Sequence, residues 1–123
     1  FYRDMDCLVE CSRGEGIGCP PLQAAFCGTP AIATAWGGMA EYVDDAAGIF
    51  GLRILGLVPA TGMSGNTRAR WAAPDPRHLA ELMQMMVDSR PKPRPDRLKK
   101  WTLDNMTKEF VGCLHSAWGR AGR

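Results

Sequence analysis

The segment that most restricts the fold is residues 12–34, SRGEGIGCPPLQAAFCGTPAIAT, where a glycine-rich loop runs into two prolines and then into an apolar run. Proline has no N–H and a φ close to the helical value, so Pro20 and Pro21 suit a first helical turn, while Gly28 suits the position just past a helix end. A helix over residues 20–27 is therefore bracketed at both ends. Upstream, residues 6–11 (DCLVEC) read as a short buried strand. Residues 30–34 read as a second strand, apolar throughout and suited to a parallel sheet covered on both faces. Gly14, Gly16 and Gly18 then fall at the carboxyl end of a strand, where open α/β sheets bind ligands. Glycines let a ligand approach the main chain, and the N–H groups and dipole of a helix start favour an anion. This is the layout of a phosphate or sugar-nucleotide cradle. Glu15 within the loop is an acid that a pure phosphate cradle would not need.

The rest of the chain continues the alternation of strand and helix. Residues 35–45 (AWGGMAEYVDD) read as a Gly37–Gly38 turn leading into a short helix that carries Glu41. Residues 48–52 and 54–58 are apolar runs separated by Arg53, either two strand pieces or one bent strand, and residues 59–70 are loop by composition. Asp75 as N-cap with Pro76 behind it predicts a helix to residue 88. Its Leu79, Leu82, Met83, Met86 and Val87 recur at three and four, which predicts one buried face. Residues 89–96 (SRPKPRPD) cannot continue that helix and predict an extended connector. Thr102 caps a last helix to about residue 118, with Leu103, Met106, Phe110, Leu114 and Ala117 on one stripe. The division expected is thus a sheet-bearing unit over residues 1–88, a Pro/basic connector over 89–101 and a terminal helix over 102–123.

The run SRGEGIGCPPLQAAFCGTPAIATAWGGMAEYVDD closely resembles the donor-site segment of retaining GT-B glycosyltransferases, the glycosyl transferases group 1 family. The signature there is a Glu, seven intervening residues and a second Glu, followed by a small-residue helix, C-G-T-P, a strand and a Gly-Gly turn. This chain has Glu15 in the first place and Gln23 in the second. The resemblance covers roughly the first half of the chain. It implies the C-terminal half of a GT-B nucleotide-sugar-binding domain: α/β, a partial Rossmann-like doubly wound parallel sheet of about three strands. It also implies a metal-independent hexosyltransferase that moves a sugar from a nucleoside diphosphate sugar to an acceptor hydroxyl with retention. Glu15 takes the catalytic place near the donor sugar, Gly16, Ile17 and Gly18 the donor loop, and Gln23 the ribose contact. Gly37 and Gly38 would meet the diphosphate through their N–H groups, with Glu41 beside them. An amide at Gln23 still accepts a hydrogen bond but loses the charge-assisted geometry, at about 1–2 kcal/mol of nucleotide binding.

The same resemblance expects two to three βα units ahead of the first strand and an N-terminal domain that holds the acceptor, neither of which stands in these 123 residues. The isolated chain is then expected to be inactive. Its first strand would be left with an open edge that favours a homo-oligomer. A non-catalytic remnant or assembly module of the same fold is the competing reading, supported by Gln23. A dinucleotide dehydrogenase fits less well. Its third glycine would fall at Cys19, and the acid after the next strand is replaced by Ala33, Thr34 and Ala35.

Composition narrows the partners. No apolar run approaches membrane-spanning length, and the start FYRDMDCLVE lacks the pattern of a signal peptide, so a cytoplasmic protein without a membrane span is expected. Cys7, Cys11, Cys19, Cys27 and Cys113 follow no zinc spacing and read as reduced thiols. Asp4 and Asp6 imitate a metal-holding D-x-D, but Asp6 opens a strand, and no metal or cofactor is assigned. Arg90, Lys92, Arg94, Arg97, Lys99 and Lys100 against Asp96 make a local charge of +5 in a chain of +2. Solvated linkers commonly carry such runs, so no nucleic-acid partner is inferred.

Overall fold

The computed structural model describes residues 1–60 and 68–121. Three strands, β1 (Leu8–Glu10), β2 (Ala31–Thr34) and β3 (Ile49–Leu52), form a parallel sheet in the order β1-β2-β3. Leu8 lies opposite Ala31 and Glu10 opposite Ala33, while Ala31 faces Ile49 and Thr34 faces Leu52. Helix α1 (Cys19–Phe26) makes the crossover from β1 to β2. The chain is α/β, with the partial Rossmann-like parallel sheet that the sequence implies.

Every residue of β2 is buried because the sheet is covered on both sides. Alternate side chains of a strand point to opposite faces. Ala31 and Ala33 accordingly pack with Leu22, Ala25, Met39 and Ile49 on the α1 side. Ile32 packs on the other side with Leu52 and with Met86 of helix α2 (Pro76–Ser89). Asp75 caps α2 as expected, its carboxylate accepting from the N–H groups of Arg77 and His78 at 3.0 and 3.3 Å. The same carboxylate receives a fork from Arg53, with N···O distances of 3.1 and 2.7 Å.

Several stretches refine or depart from the sequence reading. Residues 48–58 are two strands in two sheets: β3 stays in the parallel sheet, and β4 (Ile54–Pro59) pairs antiparallel with β5 (Arg70–Pro74). The expected loop over 59–70 thus ends in a strand that composition hid, and residues 61–67 lie outside the described residues. The connector is only partly extended, because Pro95–Trp101 winds into a 3-10 turn that sinks Leu98 to 2% exposure in the α1-side core. It is tied down by Arg94 N–H on the Ala47 carbonyl at 3.0 Å and by Arg97 on Asp44 at 2.9 Å. The α2 face is buried at Met86 but open at Met83 and Val87, which are 49% and 66% exposed. Along the last helix, α3 (Leu103–Ala121), the apolar stripe faces outward, with Phe110 63% and Trp118 83% exposed.

Candidate functional site

The glycine loop leaves the carboxyl end of β1, and a second loop leaves the carboxyl end of the neighbouring strand β2. Since the two strands are parallel and in register, both loops emerge on the same edge of the sheet. The second loop is a 3-10 turn, Gly37–Glu41. Its backbone lies directly on the first loop: the Gly38 N–H points at the Glu15 carbonyl at 3.4 Å. A Cβ on Gly38 would fall 1.6 Å from the Gly16 carbonyl oxygen and 2.8 Å from the Ile17 Cα, so only glycine permits this approach. Gly37, at φ +62°, would set a Cβ 3.2 Å from the Glu15 carbonyl oxygen.

Gly18 is the N-cap of α1 and sits in the left-handed region at φ +69°. A side chain there would meet Met39 Cγ at 2.6 Å. The Gly18 carbonyl accepts a hydrogen bond from the Tyr42 hydroxyl. Burial, and then the negative fields of Cys19, Glu10 and Glu15, push the Tyr42 phenol well above its ordinary range, so it stays a donor. Tyr42 also meets Trp101 edge to face at 5.8 Å, which links the glycine loop to the 3-10 turn before α3.

Glu15 is exposed and is oriented by Ser12, whose hydroxyl donates to its carboxylate at 2.8 Å. Ser12 N–H in turn donates to the Glu10 carboxylate at 3.1 Å, so an acid at the strand end and an acid in the loop share one serine. Gln23 lies on the exposed side of α1, and its side-chain carbonyl accepts from the Tyr2 hydroxyl at 2.8 Å. Ile17 and Gln23 line an open concavity of about 390 Å³ together with Cys19, Phe26 and Trp101. Glu41 ends the second turn and is exposed. The structure therefore joins Glu15 and Gly16 to Gly37 and Gly38 by direct contact. It brings Ile17 and Gln23 together along a separate wall.

Sequence reasoning missed Ser12, Arg13, Met39 and Tyr42. A serine three residues before an acid was the available signal for Ser12. The other three act through chain segments distant in sequence. Cys7 and Cys11 have thiols raised by burial, and all five cysteines are free. Among the described residues no helix is long and apolar enough to cross a membrane.

Residues 1–87 match the family described as glycosyl transferases group 1. The chain belongs to that family. Over 60 residues it is 40% identical to the D-inositol 3-phosphate glycosyltransferase of Frankia alni, a match that covers 49% of this chain and 14% of that relative. No solved structure matches it significantly.

Proposed function

We propose that this group 1 glycosyltransferase chain carries part of a donor site. In this reading, the whole protein moves a hexose from a nucleoside diphosphate sugar to an acceptor hydroxyl with retention of configuration. The observation that carries the reading is the contact between the Glu15–Gly16 backbone and the Gly37–Gly38 turn at the carboxyl ends of two adjacent parallel strands. The carboxyl ends of adjacent strands are where open α/β sheets take nucleotides.

The geometry supports the following roles. Gly16, Ile17 and Gly18 present main-chain groups ahead of α1, whose dipole favours the diphosphate. As the glycosidic bond breaks, negative charge accumulates on the leaving diphosphate, and preplaced N–H dipoles stabilise it without reorganising. Gly38's long hydrogen bond to the Glu15 carbonyl is one that a phosphate oxygen competes for. Glu15, steadied by Ser12, faces the donor sugar. Gln23 meets the ribose, with Tyr2 holding its side-chain carbonyl, and Glu41 lies at the rim. The acceptor is a hydroxyl compound, the class to which the relative's D-inositol 3-phosphate belongs. It sits on an N-terminal domain outside these 123 residues. Among the described residues no strand pairs with the outer edge of β1, and that edge, beside exposed Val9, favours self-association of the chain as it stands.

Titration calorimetry with uridine and guanosine diphosphate tests the reading, comparing the chain with its Gln23→Glu variant. Restoring the acid is expected to tighten binding about five- to thirtyfold, the equivalent of 1–2 kcal/mol. Equal or weaker binding by the variant would remove Gln23 from the site. It would favour the reading of a non-catalytic remnant in which Tyr2 and Gln23 simply pin the N-terminus.

A further inference from the structure

The β4–β5 hairpin stands outside the parallel sheet and has no part in the donor chemistry described so far. It nevertheless meets the glycine loop at Arg13, and does so three ways. The Ala72 N–H of β5 donates to the Arg13 carbonyl at 2.9 Å. The Arg13 Nε–H donates back to the Ala72 carbonyl at 3.0 Å. The guanidinium then lies over the Trp71 ring, 5.1 Å from its centroid. Arg13 is followed at once by Gly14, Glu15 and Gly16, and the two glycines restrain the backbone little on their own. Ala72 itself is fully buried, so the far end of this contact is anchored in the fold.

We propose that the hairpin braces the donor loop, and that Arg13 is the positioning residue through which it does so. The proposal rests on the donor-site reading above. The main-chain groups of this loop and Glu15 must be held in place before they can meet a diphosphate sugar. Clamping its first residue to a packed strand removes part of that cost ahead of binding. Arginine suits the task because its planar fork donates in a fixed direction while its face stacks on an aromatic ring. The hairpin is held in its turn by the Asp75–Arg53 pair where β5 gives way to α2. The brace therefore runs from the α2 N-terminus through β5 to Glu15.

The test uses the isotopically labelled chain with Arg13→Ala, Arg13→Lys and Trp71→Phe. Backbone ¹⁵N order parameters are measured across residues 12–18, and guanosine or uridine diphosphate is titrated as the probe. Arg13→Ala is expected to drop the loop from about 0.85 towards 0.6 or below, and to weaken nucleotide binding about three- to tenfold. Arg13→Ala also takes the Nε donor from the buried Ala72 carbonyl, so the melting temperature is expected to fall by a few degrees, and the order parameters are compared well below it, where both chains are folded. Arg13→Lys keeps a charge over Trp71 but loses the directed Nε donor, so it should rescue part of the order; Trp71→Phe, which keeps a ring under the guanidinium, should preserve most of it. Order parameters in Arg13→Ala equal to those of the unaltered chain would overturn the brace. If the unaltered chain takes no nucleotide while Arg13→Ala still loosens the loop, the donor-site reading fails and the brace stands.

Discussion

Replacing Gly38 by alanine is the sharpest test of how the two loops meet. The added Cβ would stand 1.6 Å from the Gly16 carbonyl oxygen, 2.5 Å from its carbon and 2.8 Å from the Ile17 Cα. All three are backbone atoms, so no side-chain rotation relieves the clash, and the two chains must part by roughly 1.5 Å to reach an ordinary contact. Overpacking of this kind costs about 1–3 kcal/mol when side chains can adjust. With backbone on both sides the upper end applies, and about 3 kcal/mol lowers the melting temperature by about 10 °C in a domain of this size. The internal controls are Gly14→Ala and Gly16→Ala, whose new Cβ atoms would meet nothing within 4 Å; each should change stability by less than about 1 kcal/mol. Thermal melts followed by circular dichroism, together with amide shifts of Gly16 and Ile17, read the effect. A Gly38→Ala variant that melts within a degree of the unaltered chain, with those shifts in place, would refute the contact between the loops.

Other outcomes follow from the same structure. Gly18→Ala should destabilise by about 1–2 kcal/mol, since the left-handed backbone strains any Cβ and Met39 must move aside; chemical denaturation measures it. Hydrogen bonds from arginine partners hold the Asp75, Asp44 and Asp96 carboxyls below the usual carboxylate range. Their folded-state pKa values lie below the unfolded one of about 3.9, so the folded chain binds fewer protons. That stability is present above about pH 4 and is lost as the pH falls through the folded values, which an acid titration of the melting temperature will show. Purified chain should transfer no labelled sugar above background, because closure over donor and acceptor needs two domains. Sedimentation at tens of micromolar should show self-association, and a stable monomer with slowly exchanging β1 amides would mean that the chain covers its own edge.

What the sequence disclosed was the part written in locally decisive residues. Pro20, Pro21 and Gly28 bracket α1 to within a residue, and Asp75 with Pro76 starts α2 at the expected place. These signals work because a cap or a missing N–H acts within one turn. Strand β5 was hidden because its partner β4 lies eleven or more residues away and Arg70–Pro74 has no alternation of its own. Leu98 was hidden by its neighbours: a single apolar residue between arginines and lysines looks solvated, and only the turn Pro95–Trp101 delivers it to the core. In α2 the apolar spacing predicted one buried face, but only Met86 is buried and Met83 and Val87 are open, because the elements packed on this helix reach no further than Met86 and its neighbours. For the candidate site, the glycines were singled out by the strand–loop–helix order and Glu15 by the family resemblance, and their roles are the proposal made above. The contact of Gly38 with Gly16, the Tyr42 bond to Gly18 and the Arg13 clamp join segments that no local pattern connects.

The central claim is that the glycine loop and the Gly37–Glu41 turn together receive a nucleotide-sugar diphosphate. It is tested most directly by mapping amide shifts of the labelled chain during titration with guanosine and uridine diphosphate to well beyond about 1 mM, the weak range expected of a partial site. The account predicts perturbations centred on Glu15–Gly18 and on Gly37–Gly38, with a smaller response at Gln23. Perturbations confined to other surfaces, such as the open concavity that Val9, Met83 and Val87 line on the α2 side, or none at saturating nucleotide, would contradict it.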